Sequence, residues 1–170
     1  HLATQRSFNA LSFAHIAANS VQCLGTCQGL DDIALGSGPV DLFDFSSLTI
    51  RASQLQIVIV QVYLGPSIGV RGINLTKLQI LGGFIQSLRY PFIIMGDWNV
   101  PLIIRQQWAE HLHADSCQPT NVPFTCTSGE GQMYEYFVAT KDLRPFVQNI
   151  QAHLGGPWTT HAGISITMGL

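Results

Sequence analysis

The densest apolar pattern in the chain runs from Gln56 to Asn99, where two β-type runs enclose one helical stretch. Gln56–Leu64 sets Ile57, Val58, Ile59, Val60 and Val62 almost without a break, the pattern of a strand buried on both faces. Gly65 and Pro66 stop it. From Asn74 to Arg89 the residues Leu75, Leu78, Ile80, Leu81, Phe84, Ile85 and Leu88 recur near the helical period, with Asn74 placed to cap the N-terminus. Phe92–Met95 predicts a second buried strand, and Gly96 permits a tight turn where Asp97 and Asn99 emerge. A strand–helix–strand unit with polar side chains at a strand's C-terminal end is a common way to build a site in an α/β domain.

The flanking pattern is weaker. Ser7–Ala18 reads as a short helix or as two poor strands, and Leu48–Arg51 predicts an edge strand. Pro101 opens a helix to about His113, with Ile103, Ile104, Trp108 and Leu112 inward. A loop from Ala114 leads to a strand around Phe124–Thr127, a hairpin turn at Ser128–Gly131 and a returning strand over Met133–Ala139. Lys141–Leu143 begins a short turn before Val147–His153, Gly155-Gly156-Pro157 breaks the chain, and Ile164–Met168 is the last strand.

The strand ending Gly96-Asp97-Trp98-Asn99, after a strand ending Val62-Tyr63-Leu64-Gly65-Pro66, resembles the endonuclease/exonuclease/phosphatase superfamily. That family includes abasic-site endonucleases, deoxyribonuclease I-like nucleases, inositol-polyphosphate 5-phosphatases and retroelement endonucleases. Gly131-Gln132-Met133-Tyr134-Glu135-Tyr136-Phe137-Val138 looks like the family's Ile-Asp-Tyr-Phe strand, and Trp158-Thr159-Thr160-His161 stands where its Ser-Asp-His closes the site. The resemblance covers roughly Leu48 to Met168 and leaves 1–47 divergent. It implies a single α/β domain over 1–170, with two packed mixed β-sheets flanked by helices in a four-layer sandwich, truncated or remodelled on its N-terminal side. It also implies roles: Tyr63 facing a phosphate, Asp97 orienting or deprotonating the nucleophile, Asn99 donating to the phosphate and His161 contacting a phosphate oxygen. A divalent cation, Mg²⁺ in an active member, would steady the charge on phosphorus. The plain alternative for Asp97 and Asn99 is a turn held by Asx hydrogen bonds. For Tyr63 and His161 it is that of ordinary buried polar residues.

Three departures from the family pattern change the picture. The aspartate expected before the closing histidine is Thr160, which cannot bind metal as a carboxylate or hold His161 in a charged pair. The strand aspartate is Glu135, a candidate metal ligand whose carboxylate is displaced by about an ångström, and misplacements of that order can cost roughly 100-fold in rate. The family's upstream glutamate has no counterpart, because the only glutamates are Glu110, Glu130 and Glu135. The expectation is a catalytically degenerate domain without a cofactor, acting as a binding or structural subunit of a larger assembly. The alternative is an active Mg²⁺-dependent phosphoesterase or nuclease with part of its site on a preceding segment.

Composition bears on the setting. A chain of 170 residues can bury a real core, yet it is shorter than the roughly 250 residues such a two-sheet fold usually takes. Charged residues make up 11%, against about 25% in ordinary soluble domains. Mean hydropathy is +0.24, but no apolar run approaches the roughly 18–20 residues of a membrane span. The simplest accounts are a surface partly covered by other protein subunits or a chain that is only part of its precursor, and composition does not choose between them; peripheral membrane association is left open. The net charge is −2, and the eight basic residues are scattered rather than clustered to neutralise several phosphates, which argues against tight nucleic-acid binding. A start at His1 is what removal of a targeting segment would leave, and an organellar setting goes with that expectation. Cys23 and Cys27, or His111, His113, Cys117 and Cys126, allow zinc; their spacings match no standard finger, and buried thiols with solvated histidines are the plainer reading. Four cysteines would also allow up to two disulfides. Trp98, Trp108 and Trp158 read as packing residues, and Gly82-Gly83 as a place of close helix approach.

Overall fold

The computed structural model describes residues 2–4, 11–13, 20–22, 45–52, 55–155 and 160–169. Cys23, Cys27, Trp158 and most of Ser7–Ala18 lie outside them. The strands are β1 (Leu2–Thr4), β2 (Leu11–Phe13), β3 (Ser20–Gln22), β4 (Phe45–Ala52), β5 (Leu55–Tyr63), β6 (Phe92–Asp97), β7 (Ala114–Cys117), β8 (Glu135–Thr140), β9 (Val147–His153) and β10 (Gly163–Met168). Helix α1 (Gly72–Ser87) joins β5 to β6, α2 (Leu102–His111) follows β6, and a 3₁₀ turn occupies Lys141–Phe146. A six-stranded sheet runs β3-β4-β5-β6-β8-β7; β9 and β10 form a separate antiparallel pair, as do β1 and β2. Within the large sheet β5 and β6 are parallel, as the α1 crossover requires, and the other neighbours are antiparallel.

Alternation along β5, β6 and β8 divides the core in two. Val58, Val60, Val62, Ile94, Tyr136 and Val138 face α1 and α2, where they meet Leu78, Leu81, Ile85, Ala109 and Leu112. Ile57, Ile93, Phe137 and Ala139 face the other way, and Ile150, Ile164, Ile166 and Met168 of the β9–β10 pair pack on them. The fold is thus α/β with two sheets and helices, and among the described residues both helices cover the large sheet's outer face.

Several local expectations are corrected. The strand read at an edge over Leu48–Arg51 is β4, paired on both sides. Part of the expected loop after Ala114 is β7, whose Ala-Asp-Ser-Cys sequence has no alternating apolar signal and is fixed by pairing with β8. The strand expected near Phe124 reduces to bridges from Cys126 to Gln132 and His161, and β8 begins at Glu135. Gly96 makes no turn. It sits inside β6 with φ +153°, where a Cβ would stand 1.8 Å from the Val62 carbonyl oxygen, so glycine is what lets the two strands meet. Leu75 is 43% exposed; the buried stripe of α1 is instead Asn74, Lys77, Leu78, Leu81, Gly82 and Ile85, a helical spacing partly carried by polar and small residues. Asn74 is not the cap, since Arg71 holds that position without a side-chain bond. Fully buried, Asn74 donates to the carbonyls of Gly65 and Gly69 and accepts from the Gly65 N–H, pinning the loop after β5. The close helix approach expected at Gly82-Gly83 is not what these glycines provide: a Cβ at Gly82 would meet Trp108 Nε1 at 3.6 Å, an ordinary contact, and one at Gly83 would meet nothing within 4 Å.

Candidate active site

Tyr63, Asp97 and Glu135 stand opposite one another across three adjacent strands. Residues paired across a sheet project to the same face, here the face that β9–β10 packs on. Each belongs to the end of its strand nearest the loops, so the row lies at the rim of the large sheet, where β5 and β6 both finish. The next residue, Trp98, turns to the helix side. Its ring is fully buried, stacked on Tyr136 at 5.2 Å between centroids, and its Nε1 donates to the Tyr136 carbonyl at 2.9 Å. Trp108 meets Trp98 edge-on. This aromatic cluster anchors the rim from behind.

The loops are stitched at the same place. Leu64 N–H donates to the Asp97 carbonyl, and Asn99 Nδ2 donates to the Leu64 carbonyl at 2.7 Å. Asn99 takes a left-handed backbone with φ +48°, which asparagine tolerates, and its own N–H donates to Asp97 Oδ1 at 3.1 Å. The Asx turn anticipated for these residues is therefore present. It leaves Asp97 Oδ2 and the second N–H of the Asn99 amide for other work.

His161 arrives from the far side of the chain. Ala162 N–H donates to the Thr125 carbonyl, Thr127 N–H donates to the Thr160 carbonyl, and these bonds lay His161 alongside Cys126. Its Nδ1 donates to Glu135 Oε1 in a short, close pairing and lies 3.9 Å from Asp97 Oδ2. Glu135 thus supplies the carboxylate that Thr160 does not, its side chain reaching the imidazole across the site. Thr160 contributes only its backbone carbonyl here. With Nδ1 committed, Nε2 is the histidine atom left to meet a ligand.

Burial and like charge set the electrostatics. Burial first, then repulsion from Glu135, raises the Asp97 carboxyl from 3.8 to about 6, against the smaller opposing effects of His161 and the Asn99 bonds. Glu135 is 6% exposed, and its Oε2 is buried with no hydrogen-bond partner. Asp97, Glu135 and His161 bring one ligand atom each within 4.8 Å of one another, and among the described residues no other such group of three forms. An orphaned carboxylate oxygen beside a second carboxyl whose charge burial disfavours fits a hard divalent cation, and Mg²⁺ is commonly held by only one or two carboxylates with waters completing its shell. His111 and His113, both exposed, do not join the buried free thiols Cys117 and Cys126 in any ligand group. Cys117 instead accepts from Arg144 at 2.9 Å, and burial pushes its thiol up.

The structure therefore brings Asp97, Asn99, Glu135 and His161 together and puts Tyr63 in the same row. Sequence reading missed Thr125, which is fully buried and accepts the N–H groups of Tyr134 and Glu135 on its hydroxyl. No periodicity signals such a residue, because its partners lie nine and ten positions away.

No protein-family model matches the chain, and no curated protein does. Solved structures do. The endonuclease domain of TRAS1, a telomere-specific non-LTR retrotransposon, superposes with a TM-score of 0.59 at 15% identity, covering 76% of this chain and 66% of that one. The 3′ phosphatase NExo from Neisseria, bound to product DNA hairpin, gives 0.59 at 11% identity over 89% and 71%. The AP endonuclease LMAP from Leishmania major gives 0.55 at 13% identity over 79% and 59%. The chain thus spans about two thirds of the length of these proteins. Its fold is the deoxyribonuclease I-like fold that these structures share.

Proposed function

We propose that this chain is a phosphate-ester-binding domain on a nuclease fold, in which hydrolysis is slow or lost, working as a subunit of a larger assembly. The observation that carries this reading is how the carboxylates are spent. Glu135 gives Oε1 to His161, and residue 160 is a threonine. Among the described residues, that leaves Asp97 and the buried Oε2 of Glu135 for a cation. Asn99 offers its remaining N–H, and His161 its Nε2, to phosphate oxygens. Mg²⁺ held by Asp97 and Glu135 would supply charge neutralisation at the phosphate. The similar structures named above are of nucleases and a phosphatase, one of them bound to DNA, which supports a DNA phosphoester as the ligand class. Eight scattered basic residues favour a short ligand over a long duplex. A charged fraction of 11% supports a surface partly covered by other protein subunits.

A second reading, a working Mg²⁺-dependent phosphoesterase, is favoured by one observation: Asp97, pushed to about 6, is near the operating range of a general base. Hydrolysis of bis(p-nitrophenyl) phosphate and of an abasic-site duplex with Mg²⁺, compared between this chain and Asp97→Ala, separates the two. Binding of a phosphorylated oligonucleotide that Asn99→Ala weakens, with no turnover above the Asp97→Ala background, supports the first. Turnover abolished in Asp97→Ala overturns it in favour of the second. Neither binding nor turnover sinks both.

A further inference from the structure

We propose that Thr125 is the positioning residue of the Glu135–His161 pair, its hydroxyl fixing where the carboxylate meets the imidazole. The inference rests on the reading that this pair serves the phosphate site. Thr125 touches both sides of the pair without touching a ligand. On one side its Oγ1 accepts from the N–H of Tyr134 and of Glu135, each at 3.0 Å. On the other its carbonyl accepts from Ala162, the residue after His161, at 2.7 Å. Its own N–H donates to the Gln132 carbonyl at 3.0 Å, which closes the Ser128–Gly131 turn onto the same residue. One side chain and one peptide unit therefore join the two stretches that carry the pair.

The chemistry singles out the hydroxyl. Residue 125 is fully buried, where valine of nearly the same shape would pack without burying a polar atom. Threonine at this position caps two backbone N–H groups at the very start of β8, before the strand ladder can take them. Without the hydroxyl those two groups lose their partner, and the backbone of Glu135 is free to move while only Oε1 of its carboxylate is held, by His161, since Oε2 has no bond of its own.

The test needs no catalysis. In the 170-residue chain, the Nδ1–H of His161 bonded to Glu135 gives a downfield proton resonance, assigned by its loss in His161→Gln. At fixed pH, Thr125→Val is expected to lose or broaden that resonance with the rest of the amide spectrum retained, and Thr125→Ser to restore it. If the chain turns over phosphoester, kcat should fall roughly 100-fold in Thr125→Val and recover in Thr125→Ser with KM little changed. An unshifted resonance in Thr125→Val, or its loss equally in Thr125→Ser, overturns the proposal. Should Thr125→Val fail to fold, amide exchange in the unaltered chain decides: slow exchange at Tyr134 and Glu135 supports the clamp, and fast exchange there beside a slow Tyr136 overturns it. Failure of turnover in every variant would refute the enzymatic reading and leave the clamp to stand or fall on the resonance.

Discussion

Asp97 carries a charge conflict that titration can read. In the unfolded chain its carboxyl has the ordinary value of 3.8, and in the folded chain it lies at about 6. The folded state holds the proton more tightly, so this group's contribution to stability is complete below about 4 and is lost as pH rises through about 6. Asp97→Asn keeps an acceptor for the Asn99 N–H and removes the charge. It is expected to stabilise the chain by about 2–3 kcal/mol at pH 8 and to change little at pH 4. Urea midpoints across that range test it, and an equal effect at both ends would show that the charge is not the cause. At this scale the sequence was partly legible. Gly-Asp-x-Asn announces Asp97 and Asn99 because their turn is local, made between residues two apart. Asn74 and Thr125 are silent because each bonds across a loop, so a capping rule misassigns the first and no rule finds the second.

Among the elements, β5, α1 and β6 were readable because their apolar runs are long enough to fix both period and burial. β7 was not: four mixed residues acquire a strand only because β8 offers an unpaired edge. The same dependence on neighbours shows at Gly96. Gly96→Ala must drive β5 and β6 apart or twist one of them, since the added carbon would overlap the Val62 carbonyl. A loss of about 3–5 kcal/mol is expected from such a backbone clash, read as a lower urea midpoint. A loss under about 1 kcal/mol would mean the strands are less tightly apposed than described. Asn74→Ala removes three bonds from the loop after β5. It should cost about 1–3 kcal/mol and speed amide exchange at Gly65, with the β9–β10 amides unaffected. Unchanged exchange at Gly65 would count against the pinning role.

For the whole molecule, the candidate site exists only when the two sheets are packed, because His161 enters just ahead of β10 while Asp97 and Glu135 lie on the large sheet. A ligand that bridges them binds the folded state alone and must stabilise it. Mg²⁺ at ten times its dissociation constant is expected to add about 1.4 kcal/mol, seen as a higher melting temperature. The gain should vanish in Glu135→Gln, and a Mg²⁺ effect that survives there would place the ion elsewhere. The row Tyr63–Asp97–Glu135 has a further consequence, for how such a chain can change over generations. Adjacent residues of β6 point to opposite faces, so adding or deleting one residue between Phe92 and Asp97 would swing the carboxylate into the helix-side core. Exchanging Ile93 for Val would leave the row intact. The length of this strand is therefore held more strictly than its spelling, and surviving length variants should be found in the connections, such as 118–124, rather than in β6.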